Sequence, residues 1–144
     1  MKLIEEGFDL IKKFEGFSSR PYVCPAGFLT IGYGHKIKSN ENYEVISEEE
    51  ASLLLEQDVK RAMASVVRNI KFPLNKYQFA SLVSFTYNLG GSALQRSTLR
   101  QKINYGELES VQSEMLRWVH VRGRKTKGLV IRRLAEIDLF YKCS

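Results

Sequence analysis

Three residues near the start of the chain have the types and the spacing to do chemistry together. Glu15 is followed after eight residues by Cys24 and after five more by Thr30, within KKFEGFSSRPYVCPAGFLTIGYGHKI. Glu15 lies between Phe14 and Gly16-Phe17. Apolar neighbours desolvate a carboxylate and favour its protonated form, which a general acid needs near neutral pH. Read singly, each residue is ordinary: glutamate suits a fraying helix end, threonine suits a strand, and a half-buried free cysteine is usually inert. A thiol ionises near pH 8.5 in water, so only a few per cent of Cys24 would be thiolate at neutral pH. It serves as a base only where its surroundings lower that value; direct attack as a nucleophile is the other chemistry open to it.

Other residues qualify as supports. Asp58 falls on the apolar stripe of a long predicted helix, in step with Leu54, Leu55 and Ala62, and a charge on a buried face needs a partner. Gly32 and Gly34 flank Tyr33; they mark a bulge or leave a bare strand face that a ligand can approach. Tyr87 is either a core aromatic or a ring facing a ligand. The run Arg122-Gly123-Arg124-Lys125-Thr126-Lys127 is a basic loop, ordinarily just solvated, with the means to touch carboxylates or phosphates. Trp118 belongs to an apolar face, and His120 and Cys143 carry no signal.

The elements that position these residues are mostly helical. Ile4, Phe8, Ile11 and Phe14 share one face of a helix over 3–14. Residues 21–35 form a small hairpin around Pro25-Ala26-Gly27, with proline and glycine placed as in a type I turn. Ser47 and Glu50 have capping-box spacing. The stripe behind them, from Ala51 to Val67, predicts a helix of about five turns. Asn75 and Gln78 repeat that signal, and Gly90-Gly91 stops the helix they open. Short helices follow Ser97-Thr98 and span 108–118; a loop covers 120–128. A last helix presents Val130, Leu134, Ile137 and Tyr141 on one face. These elements predict an α+β, mostly helical chain: one domain over 1–144, with a small N-terminal lobe over about 14–58, a connecting helix over about 47–68 and a helical lobe over about 70–144. A cleft between lobes is a natural ligand site.

The Glu-x8-Cys-x5-Thr spacing resembles the phage lysozymes (endolysins) of glycoside hydrolase family 24, whose triad is Glu-x8-Asp/Cys-x5-Thr. The resemblance continues through Phe79–Gly90, Ser97-Thr98-Leu99 and Gly128–Glu136, nearly the whole chain. It implies a lysozyme-like two-lobed fold and a muramidase that cuts the β-1,4 bond between N-acetylmuramic acid and N-acetylglucosamine. By this resemblance Glu15 is the acid, Cys24 takes the place of the carboxylate that usually directs water, and Thr30 helps it. It further implies a His35–Asp58 salt bridge between hairpin and helix, and pairing of Arg132 with Glu15. Gly34 and Tyr87 are then candidate sugar contacts.

Composition fits this implication without requiring it. With 144 residues, 44% hydrophobic and 26% charged, the chain has material for one core without disulfides or metals. Two distant cysteines, Cys24 and Cys143, make no disulfide framework and no zinc cluster. No metal or cofactor is expected. The +6 net charge suits an acidic partner. A basic nucleic-acid-binding module is one alternative, though no helix-turn-helix, RNA-recognition or zinc-finger signature is present. A lytic transglycosylase using Glu15 alone is another. No signal peptide or membrane span is seen. The expectation is therefore a monomer that accumulates in the host cytoplasm and reaches the wall through a holin, without inserting in the membrane or binding nucleic acid.

Overall fold

The computed structural model describes residues 1–143. Helix α1 (Glu5–Glu15) carries Glu5 and Glu6 in its first turn and Lys12 and Lys13 in its last, the arrangement that complements a helix dipole, and it ends at Gly16 with φ +72°. A three-stranded antiparallel sheet follows: β1 (Ser18–Val23), β2 (Leu29–Gly32) and β3 (His35–Lys36), in that order. Tyr22 stands opposite Thr30, and Ile31 opposite His35. The register of β1 slips between Ser18 and Tyr22, where Pro21 lacks an amide to donate. An edge strand tolerates this.

Helix α2 (Glu48–Asn69) begins with both halves of a capping box between Ser47 and Glu50. Its 22 residues span about 33 Å at 1.5 Å each. Helix α3 (Lys76–Leu89) begins with a second capping box, Asn75 and Gln78, and is buried along most of its length. It packs against α1, α2 and helix α7 (Lys127–Phe140), and so forms the centre of the molecule. Between α3 and α7 lie α4 (Gly91–Arg96), α5 (Thr98–Asn104), a single 3-10 turn and α6 (Val111–Met115). The core runs continuously from Ile11 through Ile31, Leu55, Phe79 and Phe85 to Phe140.

Three expectations need correction. The Gly90-Gly91 pair stops α3, but only Gly90 has positive φ. Gly91 opens α4, where a Cβ would stand 2.5 Å from the Ser65 hydroxyl oxygen, so the second glycine serves close packing on α2. Residues 120–128 are not a plain loop. They form a ribbon of β4 (His120–Val121) and β5 (Arg124–Lys125), turned by Arg122 and Gly123, both at positive φ. In α7 the expected apolar face is not the buried one: Leu134 and Tyr141 are exposed, whereas Arg132, Arg133 and Glu136 are buried with Ile137, Leu139 and Phe140. Hydroxyls on α3 provide the reason: those of Ser81 and Ser84 bond Glu136. Among the described residues no helix is long and apolar enough to cross a membrane, and no cluster of potential metal ligands occurs.

Candidate functional site

Glu15 is the last residue of α1. Its side chain, 21% exposed, receives the Arg132 Nη1–H at 2.7 Å from α7. The contact joins the two ends of the chain. Opposite the other carboxylate oxygen is Gly34, in the tight turn between β2 and β3. A Cβ on residue 34 would lie 2.7 Å from Glu15 Oε1, and its φ of +85° already disfavours a side chain. The bare face expected to admit a sugar is filled by the Glu15 carboxylate instead. Gly32 likewise clears room for Ala51 of α2.

Cys24 sits at the β1–β2 turn. The Gly27 amide donates to the Cys24 carbonyl at 2.8 Å, and the Cys24 amide donates to the Phe28 carbonyl at 2.9 Å. Gly27 takes the left-handed φ of +89° that closes such a loop. The thiol is free and partly exposed. Hydrogen bonding from the Phe28 amide pulls its pKa below the usual thiol value; the Thr30 hydroxyl, the Ala26 amide and the Lys36 charge act in the same direction, against a smaller effect of burial. Thr30 itself is buried, and its hydroxyl donates to the Phe28 carbonyl at 2.9 Å. One hydroxyl proton serves one acceptor. In this rotamer the Thr30 proton is committed to the Phe28 carbonyl, and Thr30 offers its lone pairs.

His35 lies between two carboxylates. Its Nδ1 is 2.7 Å from Asp58 on α2, and its Nε2 is 3.0 Å from Glu41 on the loop after β3. Tyr43 donates to Glu41 at 3.0 Å, and the Lys38 amide donates to it at 2.8 Å. Tyr87 of α3 donates its hydroxyl to the Tyr33 carbonyl at 3.0 Å, and burial pushes that hydroxyl's pKa well up. Tyr87 thus ties helix to hairpin, and its hydroxyl is not free for a ligand. Tyr22, opposite Thr30, is close enough for Glu15 and Cys24 to raise its pKa, though its partial burial raises it more.

Sequence reasoning missed Glu41, Tyr22, Glu136, Arg133 and the α3 serines. Glu41 comes from an irregular loop with no periodic signal. The charged group on α7 and the α3 serines do leave a mark in the sequence: Arg132, Arg133 and Glu136 stand at i, i+1 and i+4, opposite Ser81 and Ser84 at i, i+3 in the apolar middle of α3. Two surface hollows lie elsewhere. One, of about 420 Å³, lies between α1 and α7 beside Leu10 and Leu139; the other, of about 260 Å³, lies beside Arg96 and Trp118. Neither includes Glu15, Cys24 or Thr30.

Comparison with known proteins gives this arrangement a family. The phage lysozyme family matches residues 12–136. The chain is 37% identical to an endolysin of Acyrthosiphon pisum secondary endosymbiont phage 1, covering 97% of this chain and 98% of that protein. It is 40% identical to an endolysin of Bacillus phage B103 over 97% of its own length, but spans only 54% of that longer relative. The muramidase domain of SpmX from Asticaccaulis excentricus superposes with a TM-score of 0.90 at 32% identity, over 99% of both chains. Glu15, Cys24, Thr30 and Arg132 all lie inside the matched span, and the chain belongs to the phage lysozyme family.

Proposed function

We propose that this protein is an endolysin, a muramidase that hydrolyses the β-1,4 bond between N-acetylmuramic acid and N-acetylglucosamine in bacterial peptidoglycan and so lyses the host cell. The observation that carries the assignment of the acid is the placement of Glu15, largely covered at a helix end, with one oxygen on Arg132 and the other over the bare Gly34. A carboxyl held at one oxygen by Arg132, beside a glycine that leaves room for the other, is restricted in direction, and orientation of this kind contributes strongly to rate. Protonated Glu15 gives its proton to the glycosidic oxygen as the bond breaks and an oxocarbenium-like centre develops. Cys24 then acts as the base that draws a proton from the attacking water, with the Thr30 oxygen as an acceptor for that water. The lowered thiol pKa supports this role, because it enlarges the thiolate fraction near neutral pH. Arg132 holds the acid, and the His35–Asp58 pair holds the hairpin against α2.

Release through a holin and action as a monomer belong to the same proposal. Expression alone should leave cells intact until the inner membrane is permeabilised.

The test is mass spectrometry of purified sacculi digested by the wild type and by Glu15→Gln. Muropeptides ending in reducing N-acetylmuramic acid, absent with the variant, are the expected result. Products ending in 1,6-anhydro sugars would make the enzyme a lytic transglycosylase, and intact sacculi would overturn the proposal.

A further inference from the structure

Arg132 uses every nitrogen of its guanidinium. Nη1 donates to Glu15, Nε to Glu136 Oε2 at 3.3 Å, and Nη2 to the carbonyl and hydroxyl oxygens of Ser84 at 3.2 and 3.3 Å. Only the first of these contacts touches the site. The other two lie at the α3–α7 interface, where Glu136, Arg133 and Ser84 are fully buried. Glu136 is held there on several sides. Its Oε2 accepts the Ser84 hydroxyl at 2.6 Å, its main-chain carbonyl accepts the Ser81 hydroxyl at 2.6 Å, and its Oε1 faces Arg133 Nε at 3.0 Å. Arg133 in turn hydrogen-bonds Asn88 and lies 5.1 Å from the Phe85 ring centre.

A buried network of this kind is a costly way to hold two helices. Burial pushes the Glu136 carboxyl up and pulls the Arg133 guanidinium down to about 10, so each opposes the other's desolvation. Apolar residues of similar volume at 133 and 136 would hold α7 on α3 about as well. They would not hold a guanidinium in one orientation. We propose that Glu136 is a positioning residue for the Glu15 chemistry: it fixes the Arg132 guanidinium so that Nη1 meets the Glu15 carboxyl, and Arg133 is the counter-cation that keeps Glu136 in place. The inference rests on Glu15 being the acid.

Glu136→Gln alone strands the Arg133 charge in the core and risks unfolding the protein. The double variant Arg133→Met/Glu136→Gln removes both charges together and leaves the Arg132 charge balanced by that of Glu15, so it keeps the idea testable. Two readouts are needed: kcat and KM on soluble uncrosslinked glycan strands, and hydrogen-exchange protection of the Arg132 Nε–H by NMR in the free protein. The double variant is expected to stay folded and to keep KM within about twofold. Its kcat should fall by roughly ten- to a hundredfold, the scale of a misplaced catalytic group, with the Arg132 signal losing its protection. A folded double variant with wild-type kcat would overturn the proposal, as would a fall in kcat with Arg132 protection unchanged. The NMR readout does not depend on turnover. If Glu15→Gln retained activity, the acid assignment would fail, while protection at Arg132 would still decide whether Glu136 orients it.

Discussion

The Glu15 carboxylate occupies the space that Gly34 leaves empty: a Cβ at residue 34 would stand 2.7 Å from Glu15 Oε1. The end of a glutamate side chain normally swings aside for such an intruder. Glu15 is not free to swing, because its other oxygen is bound to Arg132 at 2.7 Å. The glycine is thus tied to the orientation of the acid as well as to the turn.

Gly34→Ala should therefore cost activity beyond its cost in stability. The φ of +85° alone disfavours alanine by about 1–2 kcal/mol. Displacing the carboxyl should add a fall in kcat of roughly tenfold or more. Thermal melting and turnover on glycan strands, measured together, separate the two effects. Wild-type kcat in a merely less stable protein would show that Glu15 tolerates the displacement.

Cys24 is testable through pH. The folded environment lowers the thiol pKa, chiefly through the Phe28 amide, so a thiolate base gains population as pH rises through that lowered value. Activity should climb with it on the acid side of the profile. Cys24→Asp, ionised already near pH 4, should stay active and move that rise to lower pH; Cys24→Ser should lose both the rise and most of the rate. A serine variant as active as the wild type would remove sulfur from the mechanism.

Features set by short-range chemistry were legible in the sequence. Both capping boxes depend on residues three apart, as does the Cys24–Gly27 turn, and each forms where the residues indicate. The buried face of α7 was not legible, because apolar periodicity assumes an apolar partner. Helix α3 instead offers Ser81 and Ser84, and these draw Glu136 inward with its two arginines. Residues 120–128 lack alternation, and Arg-Gly is a weaker hairpin signal than Asn-Gly. At the site, Glu15, Cys24 and Thr30 are candidates through the resemblance of their spacing to the family's triad, since each is ordinary when read singly. The third partner of the His35 cluster, Glu41, comes from a loop whose course only tertiary contacts define.

The His35 cluster makes a stability prediction with a definite sign. Glu41's carboxyl is held below its ordinary pKa, first by the Lys38 amide and then by His35 and Tyr43. A depressed folded-state value means that its stabilising contribution is present above the unfolded pKa and is lost as pH falls through the folded one. Glu41→Gln should lower stability at pH 7 by about 1 kcal/mol, and the gap to wild type should close on acidification below about pH 4. Denaturant melts at the two pH values check this. A gap that persists in acid would assign the effect to packing, not to charge.

The chain's excess charge has an address. Residues 115–135 hold seven of the 22 lysines and arginines and none of the 16 acids, so the rest of the chain is net −1. Two of the seven, Arg132 and Arg133, are buried and paired with Glu15 and Glu136. Arg117 pairs with Glu114. Arg122, Arg124, Lys125 and Lys127 are exposed and make no ion pair among the described residues. They cluster on the β4–β5 ribbon and the first turn of α7, less than two turns of helix before Arg132. A concentrated cationic ribbon raises the local concentration of an anionic polymer, and salt screens the effect over about 10 Å at 0.1 M. Replacing all four residues by glutamine should raise KM on sacculi by about three- to tenfold at low salt and leave kcat nearly unchanged. The variant's activity should also respond little to added salt, whereas the wild type's should decline. Parallel salt curves for the two proteins would show that the ribbon is solvated surface with no part in engaging the wall.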